Sequence, residues 1–189
     1  MEDIVIIGYG GHAKSVADCI ERTHKYRIVG YTDLCEQQSD YNYLGTDDNL
    51  YEIYNTGVRN AIVGIGYLGK DNIRAMLYRK LKDIGFKLPV IIDPRAIVSQ
   101  NVSIGEGTIV GKNAIINSES VIGKMAIINT GAIIEHECEI GDYVHIAVGA
   151  VICGQVKVGQ ESFVGANATV IQCQEIGPKR IIPAGMVIR

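Results

Sequence analysis

The chain has 189 residues, 47% of them apolar, with 22 glycines, no tryptophan and two phenylalanines, which suits one domain or two small ones built on aliphatic cores. Its net charge of −3 points away from nucleic acid as a partner. Acidic residues precede the first short apolar run and no long apolar stretch follows, so a cytoplasmic protein with no leader and no membrane span is expected.

Residues 1–93 read as a small parallel α/β sheet of the Rossmann-like kind. Ile4-Val5-Ile6-Ile7 is an apolar run suited to a strand buried on both faces. Gly8-Tyr9-Gly10-Gly11 breaks it. From His12 to about Thr23, Ala13, Val16, Ala17 and Ile20 share one face of a helix. Tyr26 to Tyr31 reads as a second strand, ending at Thr32-Asp33. Residues 34–58 are poorly patterned, with a short helix expected near 47–54. Asn60 to Ile65 is a third strand, broken by Gly66-Tyr67-Leu68-Gly69. Asp71 to about Ile84 is helical, and Lys87 to Ile92 is a fourth strand. Strands alternating with helices imply parallel pairing.

The texture changes after Asp93-Pro94. Every sixth residue from Val98 to Ile182 is Ile or Val, fifteen in succession. A period of six fits neither a lone helix nor a hairpin, but it fits a solenoid of three flat sides per 18-residue coil. The Ile or Val fills the axis. The fourth residue after it is often small (Thr108, Ala114, Ser120, Ala126, Ala132, Ala150, Ser162, Ala168) and also turns inward. The residue directly after it is often Gly or Asn, expected to supply unusual backbone angles at a corner. Residues 98–189 thus make about five coils stacked about 4.8 Å apart, within a second domain of residues 94–189. The five cysteines, Cys19, Cys35, Cys138, Cys153 and Cys173, form no CxxC pair; buried, reduced thiols and no metal site are expected.

The hexad register resembles that of the left-handed β-helix acyltransferases, generally trimers with acyl-CoA sites between prisms. A closer resemblance spans nearly the whole chain. Ile6 to Lys14, with Gly8-Tyr9-Gly10-Gly11-His12, is similar to the N-terminal signature of the sialic-acid O-acetyltransferase-like sugar acyltransferase family, which includes N-acetyltransferases of nucleotide-linked amino sugars. Asn129 to Cys138, containing His136-Glu137, and Ile140 to His145 resemble its catalytic segment. Two stretches depart from the family pattern. The segment from Gly64 to Arg74 is longer, and the chain ends at Ile188-Arg189, before the coil and tail that relatives usually carry.

His136, two residues past an inward Ile at a coil edge, is the candidate general base. Imidazole, with a reference pKa of about 6.5, suits proton removal from an attacking nitrogen or oxygen at neutral pH. The resemblance implies that Glu137 orients His136 and that His145 helps bind the acetyl donor. Nine residues is half a coil, so a site using both histidines draws them from neighbouring subunits. Backbone N–H groups near Gly154 are candidates for an oxyanion, and Asn129 for a contact to substrate or donor. Both residues also fit as ordinary solenoid-turn positions. In the α/β region, the resemblance implies a nucleotide sugar. Gly8, Gly10 and Gly11 at the helix start, with His12 and Lys14, would hold its diphosphate, Asp33 its ribose or base, and Gly64 would lie at the same carboxyl end of the sheet. From the residues alone this is also an ordinary βα turn.

The expected function is therefore acetyl-CoA-dependent N-acetylation of a UDP-linked 4-amino-4-deoxy sugar, without a metal, for glycan or capsule synthesis. The alternatives are O-acetylation of a sialic acid and a non-catalytic trimeric scaffold that binds a nucleotide sugar.

Overall fold

The computed structural model describes residues 1–67 and 73–189. The chain forms two compact units, Met1–Gly66 with Asn72–Pro89, and Tyr67–Asp71 with Val90–Arg189.

In the first unit, strands β1 (Glu2–Ile7), β2 (Tyr26–Thr32) and β3 (Asn60–Val63) form a parallel sheet in the order β2-β1-β3. Ile4 to Ile7 of the central strand are fully buried, as an unbroken apolar run in a sheet covered on both faces should be. Helix α1 (Gly11–Thr23) buries Ala13, Val16, Ala17, Cys19 and Ile20. A 3-10 turn at Asp47–Asn49, capped by Thr46, leads into α2 (Leu50–Asn55). Helix α3 (Ile73–Ile84) buries Leu77 and Leu81; the expected break at Leu68-Gly69 and the helix start at Asp71 lie outside the described residues.

The expected fourth strand does not form as one piece. Lys87 makes a single parallel bridge to Asn60, while Ile91–Ile92 belongs to the second unit and pairs with Ile109–Val110. Pro89 lies between them and cannot donate to a ladder.

The second unit is a parallel β-solenoid of about five turns, the left-handed β-helix architecture. Two-residue strands stack into three faces of six, six and five strands. Each strand pairs with the one 18 residues on, as Ile109 does with Ile127 and Ile127 with His145. The sixfold Ile and Val side chains form one continuous core. The small fourth residues are fully buried from Thr108 through Ala168. Their hydroxyls stay paired inside, as buried polar groups must. Ser120 donates to the Glu135 carbonyl (2.8 Å) and accepts from the Cys138 N–H (3.1 Å). Thr108 and Ser162 repeat this bridge.

The corners correct one expectation. The positive φ angles fall on the third residue after the inward Ile or Val, not on the first. One occurs in every hexad from Gly107 to Gly185, and ten of these residues are not glycine, Met125, Glu137, Tyr143 and Lys179 among them. A left-handed residue other than glycine costs about 1–3 kcal/mol, and here its N–H gains a bond to the previous coil, as Glu137 N does to Ser118 O and Gln155 N to His136 O. Glycine recurs at the first position for another reason. A Cβ at Gly105, Gly123, Gly141, Gly159 or Gly165 would come within 2.4–2.6 Å of the backbone nitrogen on the next coil. The thiols also differ from expectation. All five are free, but Cys35 and Cys173 are exposed and only Cys19 and Cys138 are buried. Among the described residues, no helix is long and apolar enough to cross a membrane.

Candidate active site

His136 occupies the corner between the second and third faces, between the strands Ile133–Ile134 and Glu139–Ile140. Its Nδ1 lies 2.9 Å from Glu137 Oε2. Adjacent side chains usually diverge, but φ of +58° at Glu137 turns its carboxylate back toward the imidazole. An ionised carboxylate only accepts, so the proton of the neutral ring sits on Nδ1 and Nε2 carries the lone pair. Gln155, on the same corner of the next coil, donates from Nε2 to the same carboxylate oxygen (3.2 Å). These two bonds, His136 first, hold the Glu137 carboxyl below its ordinary 4.5. Gly154 lies against the ring: a Cβ there would come within 2.6 Å of both Cε1 and Nε2 of His136. Gly154 therefore stands beside the Nε2 lone pair of His136.

His145 lies on the first face, in the strand His145–Ile146. Within one chain it and His136 belong to different sides of the prism. His145 is 6% exposed. Its Nδ1 is 2.6 Å from the carbonyl of Tyr67, its Nε2 is 3.1 Å from Asn129 Nδ2, and the Phe163 ring meets it edge-on. Asn129 is thus joined to His145, while Gly154 is joined to His136. The contact of Tyr67 to His145 has no sequence signal, because a backbone carbonyl makes it.

In the first unit, Gly8, Gly10, Gly11, His12, Asp33 and Gly64 line one cavity of about 420 Å³, together with Thr46, Asp47 and Asp48. Lys14 instead lines a second cavity with Asp18, Glu21 and Tyr41. Gly8 has φ of +79°, and a Cβ there would strike Ile65, so the turn after β1 requires glycine. Helix α1 begins with Gly10 at its cap, no side-chain cap and no acid in its first turn. Its first N–H groups and dipole therefore face the cavity without a competing carboxylate from the helix itself, which suits an anion. Asp33 is built into the loop: its Oδ2 accepts from Tyr9 N (2.8 Å) and its Oδ1 from Leu34 N (2.7 Å). Thr32 donates to Asp47 Oδ1 (2.7 Å). Asp47 and Asp48 escaped the sequence reading because they lie in the unpatterned stretch; the capping sequence Thr46-Asp47-Asp48-Asn49 was the available signal. Among the described residues, no group of three or more His, Cys, Asp or Glu could hold a metal ion.

Residues 3–81 match the PglD N-terminal domain family. No curated protein matches the chain. Among solved structures, a histidine-to-alanine variant of the GDP-perosamine N-acetyltransferase from Caulobacter crescentus, in complex with CoA and GDP-perosamine, is 34% identical, covers 100% of this chain and 89% of its own, and superposes with a TM-score of 0.94. The acetyltransferase domain of PglB from Neisseria gonorrhoeae is 32% identical over 100% of this chain and 92% of its own, with a TM-score of 0.93. The same domain in complex with acetyl coenzyme A is 31% identical over 98% and 95%, with a TM-score of 0.79. With these similarities over its full length, a β-helix of hexapeptide repeats and an α/β unit of the PglD type, the chain belongs to the hexapeptide-repeat sugar N-acetyltransferase family and is an acyltransferase.

Proposed function

We propose that the protein transfers an acetyl group from acetyl-CoA to the amino group of a nucleotide-linked 4-amino-4-deoxy sugar in the cytoplasm, with His136 as general base, for glycan or capsule synthesis. The observation that carries this reading is the His136–Glu137 pair at 2.9 Å, on a β-helix whose relatives include an enzyme crystallised with CoA and an amino-sugar nucleotide.

The chemistry follows from the tautomer. The sugar amine attacks the thioester carbonyl carbon, forming the C–N bond. The bare Nε2 of His136 takes a proton from that nitrogen, and Glu137 stabilises the imidazolium. Backbone N–H groups near Gly154 hold the oxygen as it becomes an oxyanion. The C–S bond then breaks and CoA thiolate leaves, accepting a proton to become the thiol.

The α/β unit supplies the nucleotide-sugar site. The start of α1 and the Gly8–Gly11 turn suit the diphosphate, with His12 beside it. Asp33 and Asp47 suit donors such as ribose hydroxyls or base N–H groups, since carboxylates accept and would repel phosphate. UDP is the sequence-based choice of nucleotide; the Caulobacter relative, crystallised with GDP-perosamine, favours GDP as the alternative. Since His136 sits at the corner between the second and third faces and His145 on the first face of one prism, a homotrimer with interfacial sites would let a second subunit complete each site.

The test is thiol release from acetyl-CoA with UDP-, GDP- and dTDP-linked 4-amino sugars and with free sialic acid. The expected product is an N-acetylated nucleotide sugar that survives hydroxylamine. No release with any nucleotide-linked amino sugar, or a hydroxylamine-labile ester as product, refutes the reading.

A further inference from the structure

The corner that carries His136 recurs every 18 residues, at Glu119, Glu137, Gln155 and Cys173, with φ of +63°, +58°, +61° and +63°. The backbone stacks these residues in a column. The Gln155 N–H donates to the His136 carbonyl (2.9 Å) and the Cys173 N–H to the Gly154 carbonyl (3.0 Å). Glu137 has one neighbour in the column on each side. Glu119 offers a carboxylate, which only accepts when ionised, and Gln155 offers an amide, which can donate. The orientation of that amide is fixed from both ends. Its Nε2 lies 3.2 Å from Glu137 Oε2, and its Oε1 accepts from the Cys173 thiol (3.4 Å). A flipped amide would set its oxygen against a carboxylate oxygen. Glu137 Oε2 thus takes two donors from two coils, His136 Nδ1 and Gln155 Nε2.

We infer that Gln155 is a positioning residue for the transfer: from the next coil it anchors the Glu137 carboxylate, and through that carboxylate it sets the tautomer and the aim of His136. The catalytic consequence rests on His136 being the base, as read above; the anchoring does not. His136, Glu137 and Gln155 are all exposed. A carboxylate bonded only to a neighbouring exposed ring is free to change rotamer, and a second bond from a separate coil holds it in place. Exposed pairs add little to stability, so loss of the anchor should appear in kcat and not in the melting temperature.

Equivalent corners hold Met125, Lys179 and Glu161 at φ of +55°, +56° and +57°, so the backbone at residue 155 accepts methionine and lysine. Gln155→Met has a similar length and no donor. It is expected to lower kcat about three- to tenfold, with the KM for acetyl-CoA within about twofold of wild type and the melting temperature unchanged. Gln155→Lys, which can donate to the carboxylate, should keep kcat within about twofold of wild type. In a Glu137→Ala background, Gln155→Met should cost nothing further. Unchanged kcat in Gln155→Met, an equal loss in the methionine and lysine variants, or an additive loss in the Glu137→Ala background overturns the inference. A second measurement needs no activity. Ring-15N-labelled histidine in the full chain gives four histidines to assign, and His136→Ala identifies the one in question. With the ring neutral and no ligand added, the wild type is expected to hold the His136 proton on Nδ1, and Gln155→Met to spread it over both nitrogens. If the wild type transfers no acetyl group, the functional reading fails and this measurement alone decides the anchor: an unchanged tautomer in Gln155→Met overturns it.

Discussion

The imidazole of His136 occupies the space that a side chain on Gly154 would fill, since a Cβ at residue 154 would stand 2.6 Å from its Nε2 and Cε1. Gly154 has no positive φ, so alanine fits its backbone, and the half-exposed His136 ring can swing away. Gly154→Ala is therefore expected to fold normally and to lose at least tenfold in kcat, as a general base moved from its proton should. Circular dichroism and steady-state kinetics check both halves. A loss of fold, or unchanged kcat, contradicts the placement.

Glu137 gives a pH prediction. Its carboxyl is held below 4.5 by the bonds from His136 and Gln155, so its folded value lies under its unfolded one. The stabilisation is then complete above 4.5 and is lost as pH falls through the folded value. The pair is exposed, so Glu137→Gln should leave the melting temperature at pH 8 nearly unchanged and flatten its decline below pH 4.5. At neutral pH it should lower kcat about tenfold or more by freeing the imidazole to rotate. Thermal melts from pH 3 to 8 and kcat at pH 7.5 measure the two effects.

Equivalent glycines on different coils should behave differently. A Cβ on Gly141 would meet the Gln160 nitrogen at 2.6 Å, whereas one on Gly177, at the same hexad position, meets nothing within 4 Å. Gly141→Ala is expected to destabilise by about 1–3 kcal/mol through overpacking against backbone. Gly177→Ala is expected to be neutral. Denaturant melts of the two variants make the comparison, and equal effects would contradict the close-approach explanation.

The buried hydroxyls give a third stability test. Ser120→Ala removes the acceptor of the Cys138 N–H and the donor to the Glu135 carbonyl. Leaving these groups unpaired inside the prism costs about 1–3 kcal/mol. Ser120→Cys, with a weaker donor and acceptor of similar shape, should recover part of it.

The parts of the fold read most easily were those where one side chain meets one physical demand. Ile134 and its counterparts face the axis and cannot be polar; Ala132 and Ser120 face it where space is short. The corner angles left no such mark. Met125, Glu137 and Lys179 adopt the left-handed conformation because the stacked backbone imposes it, so residue type carries little of that information. Glycine at the first position was visible, but sequence alone could not distinguish positive φ from close approach. In the site, His136 and Glu137 were legible as neighbours in sequence, whereas the packing of Gly154 against the His136 ring was not. Tyr67 meets His145 through a main-chain carbonyl and Gln155 meets Glu137 from 18 residues on, and neither contact has a local signature. Lys14, placed with the phosphate loop by the resemblance, lines a different cavity because the helix carries it round from Gly10 and His12.

The central claim is that His136 is the base of an N-acetyl transfer, and its most direct test is a single-turnover measurement of wild type against His136→Ala and His136→Asn. Acetyl-CoA and the best nucleotide-linked amino sugar from the assay series are used at saturation. Loss of the base is expected to slow transfer about 10²–10⁴-fold in both variants, with acetyl-CoA affinity within a fewfold of wild type. Transfer by His136→Ala at the wild-type rate would contradict the account.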